Sequence, residues 1–340
     1  MSDTPYAMLL SAGYGTRLRE LSDERPKPML PVCNAPLVRW AASLCLGAGI
    51  RELVVNLHHK GEQLRAELGD GGTLGEGVHV QYSPEPEILG TGGGVKAMAR
   101  LRPRGTCVAV NAKIVSDLDL RPVLDFHRRS GALATMVLKP DPEAERWGAI
   151  GVDAAGGLTR LLSLRRPGQG ATRDCMFTGI QILEPELIDA IPDGACCIIR
   201  TAYSELFERG APLAGFVHEG YFQEHSTPAR YLAGNLNLLR GLATPPARPG
   251  PLVGVDASAA IGDGAELAPP VLIGAGARIG AGARVGPEVV IGEGAEVAPG
   301  VAIARAVVWP GARVAASTRS AIVTRERVFP VDPAAPGDGR

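Results

Sequence analysis

The chain has 340 residues, more than one hydrophobic core usually serves, so two domains are expected. A net charge of −1 supplies no basic field for DNA or RNA, and no uninterrupted apolar run approaches membrane-spanning length. None of the six cysteines forms a C-x-x-C pair and no basic region opens the chain, so a cytoplasmic protein with buried thiols and no nucleic-acid or membrane partner is expected.

Taken in order, residues 6–10 read as a first strand that runs straight into a glycine turn, Ala12-Gly13-Tyr14-Gly15-Thr16-Arg17. Such a turn lets backbone N–H groups approach a ligand closely, because no side chain blocks them. Arg17, with its planar fork, and Lys27, a point charge between Pro26 and Pro28, can then grip an anion. The third glycine of a dinucleotide fingerprint would fall at Leu18, and no Lys follows the last glycine as a Walker loop requires. The stretch therefore reads as a phosphate site of another kind.

Helical stripes over residues 36–48, 60–68, 91–101 and 119–130 alternate with strand-like runs at 52–57, 78–82, 107–110 and 132–138. This rhythm predicts a Rossmann-like α/β domain with a mostly parallel sheet and ligands beyond the carboxyl ends of its strands. A second glycine turn, Leu89-Gly90-Thr91-Gly92-Gly93, opens the third helix. Strands at 149–152, 158–164 and 177–183 predict an antiparallel extension. Helices at 184–191 and 200–209, strands at 213–217 and 220–222, and a helix at 228–242 complete a domain over residues 1–242.

Residues 243–252 have the proline density of a stiff linker. Aliphatic residues then recur every sixth position from Val255 to Ile303 and slip by one to Val308 and Val314. A six-residue period fits a triangular solenoid, a left-handed parallel β-helix over residues 253–329. Residues 330–340 lack an apolar pattern and read as a disordered tail. No His lies between 253 and 322, which argues against an acyltransferase solenoid.

The glycine turn, the Thr-Arg pair and Pro26-Lys27-Pro28 resemble the signature of the sugar-1-phosphate nucleotidyltransferases, and with the repeat the chain is most similar to mannose-1-phosphate guanylyltransferases. The resemblance implies that Ala12, Gly13, Gly15 and Thr16 bind the nucleotide, with Arg17 and Lys27 catalytic at its phosphates. Gly90, Thr91, Gly92, Asn111 and Lys113 would complete the nucleotide site. Gly148, Arg166, Thr178 and Gly179 would bind the sugar phosphate, Arg166 replacing a Lys of the family. The partners implied are an NTP, with GTP first, and a sugar 1-phosphate, with mannose 1-phosphate first, and a homo-oligomer through the β-helix.

The resemblance also implies Mg²⁺. Lys113 stands where the family carries a metal-binding Asp and cannot ligate a hard cation, which leaves Glu224 as the expected metal ligand. Two readings follow from that departure. One is an active transferase; the other is a catalytically impaired, nucleotide-sugar-binding regulator.

Overall fold

The computed structural model describes residues 5–18, 20–102, 104–166 and 173–332. Four runs rich in Val, Leu and Ala form a parallel sheet: β1 (Tyr6–Leu10), β2 (Glu52–Leu57), β3 (His79–Pro84) and β4 (Cys107–Asn111), in the order β3-β2-β1-β4. Helices α1 (Leu37–Gly47), α2 (Gly61–Leu68) and α3 (Gly90–Ala99) connect them. β1 and β4 are buried almost throughout, as strands covered on both faces must be.

The chain continues through β5 (Ile114–Ser116), α4 (Leu120–Ser130), β6 (Ala134–Pro140), β7 (Ile150–Val152), β8 (Leu158–Leu161) and β9 (Leu164–Arg165) to the long β10 (Arg173–Leu183). β10 runs antiparallel to β4, β6 and β7, which extends the sheet as expected. The single strand expected over 158–164 is instead a hairpin, turned at Leu162 with a positive φ of 55°. The helix expected at 200–209 begins as a π turn, Ile199–Tyr203, before Ser204–Glu208.

β11 (Leu213–Val217) pairs in parallel with β6. β12 (Phe222–Glu224) lies slightly beyond the expected 220–222 and pairs antiparallel with β5 in a separate two-stranded ribbon. β5 was not expected, because it is three residues long and its partner lies about a hundred residues away. Helix α5 (Pro228–Leu239) follows, with Thr227 Oγ1 accepting the Arg230 N–H as its N-cap.

From Gly254 the chain forms short parallel strands stacked as a β-helix. Val255, Ile273, Ile291 and Val308 stand one above another, as do Ile261, Ile279, Val297 and Val314. The one-residue slip is absorbed in the strand Ala302–Val308, at Arg305, whose φ is 51°. The proline-rich segment 243–252 is anchored at both ends, where Ala243 and Leu252 are buried. The expected tail is ordered through Asp332: Val328–Pro330 pairs with Thr318–Val323, and Val331 is buried. Residues 333–340 of that tail lie outside the described residues.

The β-helix packs against α5 through a shared core. The Trp309 indole N–H donates to Tyr231 Oη at 3.1 Å, and Tyr231 Oη donates to the Pro31 carbonyl at 2.5 Å. Asn34 Nδ2 donates to the Ile291 carbonyl, and Arg240 forms two hydrogen bonds to Glu288.

Candidate active site

The glycine turn lies at the carboxyl end of β1, where open α/β sheets bind ligands. Gly15 has φ +67°, a conformation that disfavours a side chain, and its carbonyl accepts from Leu18 N–H and Ser22 Oγ–H, which closes the turn. Gly13 carries no such constraint, since an added Cβ would meet nothing within 4 Å. Ala12, Gly13 and Gly15 line a cavity of about 220 Å³ with Lys27, Gly90 and Thr91.

Ala12 serves differently from the expectation of a ligand contact through its backbone: its N–H, with that of Ser11, points to Asn56 Oδ1. Asn56 in turn donates to Glu85 Oε1 at 2.7 Å, and Glu85 Oε2 accepts the Leu89 N–H. This buried Asn56–Glu85 pair ties the two glycine turns together. Sequence reasoning missed both residues, because each lies in an otherwise ordinary strand end.

At the second turn, Gly90 and Gly92 pack on Cys196, where an added Cβ would fall 2.6 Å from its carbonyl oxygen and 2.5 Å from its Sγ respectively. Thr91 Oγ1 accepts the Ile198 N–H. Gly92 is buried at this contact, so its place is explained by packing. Thr16 is exposed and starts a short 3-10 turn, outside the cavity-lining residues.

A second cavity of about 370 Å³ adjoins the first, and Asn111 and Lys113 line both. Thr178, Gly179 and Trp147 line its far side. The Thr178 hydroxyl donates to the Val137 carbonyl at 2.7 Å, so it anchors the strand instead of facing ligand. At Gly179 the pairing of β10 shifts register and φ is +86°, and an added Cβ would stand 2.3 Å from Asn111 Nδ2. Gly179→Ala is therefore expected to destabilise the protein by about 1–3 kcal/mol and displace Asn111. Denaturant unfolding together with a ligand titration checks this.

Gly148, also at positive φ, lines a different hollow with Arg160 and Leu162, on the other side of Trp147. The expectation for Arg166 is corrected. Its Nη2 donates to the Ala211 carbonyl at 2.5 Å and its guanidinium lies over Phe207 at 4.6 Å, so it lines neither cleft cavity. An aromatic face and a carbonyl are alternative partners for a guanidinium, and nothing local in the sequence marked them.

Where the cavities meet, four cations converge on one carboxylate. Lys113 Nζ donates to Glu224 Oε1 at 2.6 Å, Arg17 Nη2 lies 3.5 Å from the same oxygen, and Arg230 Nη1 lies 3.6 Å from Oε2. Lys27 completes the group: burial first, then the charges of Lys113 and Arg17, lower its ammonium to about 8 despite Glu224. Burial works against the charge of Glu224, but Lys113, Arg17 and Lys27 outweigh it and hold the carboxyl below its usual range. Arg230, missed in the sequence, also stacks over Trp147 at 4.9 Å.

The β5–β12 ribbon sets this geometry by pairing Ile114 with Glu224, while the His225 N–H donates to the Lys113 carbonyl at 2.9 Å. The His225 ring is fully buried against Gly234, and burial lowers it to about 4. It is thus a neutral packing element at ordinary pH.

The depressed Lys27 makes a signed prediction. Its folded pKa lies below the 10.5 of an exposed lysine, so between about pH 8 and 10.5 the unfolded chain binds more protons. Lys27 therefore makes stability rise with pH across that window, while affinity for a phosphate anion falls as the ammonium is lost. Calorimetric titration with pyrophosphate between about pH 7 and pH 9, set beside melting curves, reads both signs.

The divalent cation that the family generally uses finds no fitting ligand set here. Glu224, the expected Mg²⁺ ligand, is engaged by three cations, Lys113, Arg17 and Arg230. A hard dication takes oxygen donors, and the ammonium and guanidinium groups around Glu224 do not suit one.

Residues 6–221 match the family model described as nucleotidyl transferase. The chain belongs to the nucleotidyl transferase family. Residues 270–305 match the bacterial transferase hexapeptide model of six repeats. The transferase is 31% identical over 268 residues to a mannose-1-phosphate guanylyltransferase of Mycobacterium tuberculosis, covering 78% of this chain and 72% of that one. It is 33% identical over 202 residues to a UTP–glucose-1-phosphate uridylyltransferase of Synechocystis, covering 55% of this chain and 51% of the relative. A Bacillus anthracis crystal structure assigned as a glucose-1-phosphate thymidylyltransferase shares the fold with a TM-score of 0.60 at 17% identity, covering 73% of this chain and 98% of that one. No helix among the described residues is long and apolar enough to cross a membrane.

Proposed function

We propose that the transferase moves a nucleoside monophosphate from an NTP to a sugar 1-phosphate, with GTP and mannose 1-phosphate as the first pair and pyrophosphate as the other product. The observation that carries this reading is the convergence of Arg17, Lys27, Lys113 and Arg230 where the two cavities meet. A sugar-phosphate oxygen would attack the α-phosphorus in line, and the bond to the β-phosphate would break with its electron pair leaving on pyrophosphate. Such a step asks little of the protein beyond positioning and neutralising charge.

In this reading Lys27 and Lys113 face the reacting phosphate, and Arg17 takes the departing pyrophosphate. The likeness to a mannose-1-phosphate guanylyltransferase over most of both chains supports mannose and GTP; the uridylyl relative keeps glucose with UTP as the competitor. We place the enzyme in the cytoplasm, a location supported by six cysteines that are all free. The exposed apolar first coil, with Val253, Val255 and Ile261 between 41% and 51% exposed, supports self-association through the β-helix.

The test is pyrophosphate release from the common NTPs against a panel of sugar 1-phosphates, with Mg²⁺ supplied. Release is expected to be fastest with GTP and mannose 1-phosphate. A different preferred pair corrects the specificity. No release from any pair, with nucleotide sugar still bound, selects the regulator, a reading that the Lys at position 113 favours.

A further inference from the structure

We propose that the Lys113 ammonium replaces a protein-held divalent cation, so that phosphates bind and react in this cleft without a metal ion bound to the protein, and that Glu224 is the internal counterion they displace. The proposal deepens the transferase reading and rests on it for the reaction, but not for the phosphate binding.

The argument begins with charge. Four cationic side chains crowding one another repel, and the cleft holds them together in the absence of substrate through the Glu224 carboxylate, which touches three of them. A carboxylate offers two oxygens to those donors. A phosphate or pyrophosphate offers more oxygens and more charge, so the same donors are better satisfied by the substrate. Lys113 and Lys27 present ammonium groups with several donors each, and Arg17 and Arg230 present planar forks that fit a bridging diphosphate.

Position comes next. Lys113 lines both cavities, Arg230 lines the side bearing Trp147 and Gly179, and Lys27 lines the side bearing the glycine turn. The ammonium of Lys113 therefore stands between an entering sugar phosphate and the nucleotide phosphates, where charge must be neutralised as the bond to the leaving group breaks. The backbone holds it there: Lys113 N–H donates to the Asn111 carbonyl, and the Lys113 carbonyl accepts from His225 N–H.

Displacement also has a route. Glu224 ends the short ribbon strand β12, and its side chain, though largely buried, keeps 19% of its exposure. Once phosphate takes the cations, the carboxylate can swing toward solvent. The chemical step is balanced without a metal: the ionised sugar phosphate has no proton to lose, one P–O bond forms, one breaks, and the electron pair departs on pyrophosphate.

The experiment uses the purified full chain and inorganic pyrophosphate as probe, titrated calorimetrically after exhaustive chelation and again with Mg²⁺ added. Parent protein is expected to bind with affinities that agree within about twofold in the two conditions, because four fixed charges already neutralise the anion. K113D is expected to lose about tenfold or more in affinity under chelation and to regain it with Mg²⁺, since Asp beside Glu224 restores a hard oxygen pair. K113M is expected to lose affinity without any rescue by Mg²⁺, and melting curves of both variants establish that they fold.

Binding by the parent protein that rises about tenfold or more with Mg²⁺ overturns the proposal. So does a K113D variant that behaves like the parent. Turnover that survives chelation supports it, whereas turnover with Mg²⁺ that stops under chelation refutes it and leaves the transferase reading standing. Should no NTP and sugar phosphate react under either condition, the transferase reading fails, and the pyrophosphate titration still decides the role of Lys113.

Discussion

Lys27→Met is expected to lower turnover by about 10³-fold while leaving the fold intact and slightly more stable. The two effects come from one cause. Lys27 is buried beside Lys113 and Arg17, and that burial together with like charge pulls its ammonium down to about 8. A charge held in such surroundings destabilises the free protein, and methionine of similar length relieves it. The same surroundings make the charge effective once an anionic phosphate arrives, because little solvent screens it. Steady-state pyrophosphate release gives the first effect, as a fall in kcat more than a rise in KM if the charge acts chiefly on the breaking bond. Denaturant unfolding gives the second. A variant with turnover near that of the parent protein removes Lys27 from the chemistry. Arg17→Ala should follow the same pattern in turnover, but without the gain in stability, since Arg17 is about one-third exposed and paired with Glu224.

Trp309→Ala is expected to cost about 3–5 kcal/mol of stability and to lower turnover as well, although Trp309 belongs to the β-helix. Its side chain is fully buried, its indole donates to Tyr231 of helix α5, and Arg25 lies 5.6 Å above its ring. Tyr231 bonds onward to the Pro31 carbonyl, four residues after Lys27, and lies one residue after Arg230 on α5. Removing the indole therefore empties the seam between the two domains and loosens both segments that deliver cations to the cleft. Denaturant unfolding and kcat/KM together test this, and Tyr231→Phe separates hydrogen bond from volume: it should cost about 1 kcal/mol, a fraction of the Trp309 effect. Full stability in Trp309→Ala would show that the β-helix is an independent appendage. The Glu288 carboxylate, paired with Arg240 and Arg305, adds to that seam but is partly exposed and expected to matter less.

The sequence by itself determined the elements whose physics is local or periodic. The first strand and its glycine turn were legible because Tyr6–Leu10 is apolar and Gly15 supplies the positive φ that the turn demands. The β-helix was legible because a six-residue repeat places one aliphatic side chain inward per side, whatever surrounds it. The parallel heart of the sheet followed from alternating strands and helices.

Tertiary structure alone decided what the cleft does with its charges. Lys113 and Glu224 are 111 residues apart, and only the pairing of two three-residue strands, which nothing local in the sequence announced, brings their side chains to 2.6 Å. For that reason the chain alone offered Glu224 as a metal ligand, and the fold pairs its carboxylate with Lys113, Arg17 and Arg230. Arg166 looked like a phosphate clamp and lies on Phe207. Arg230 and Asn56 went unnoticed because a charge or an amide announces its chemical type in the sequence but not its neighbours, and at this site the neighbours set the role.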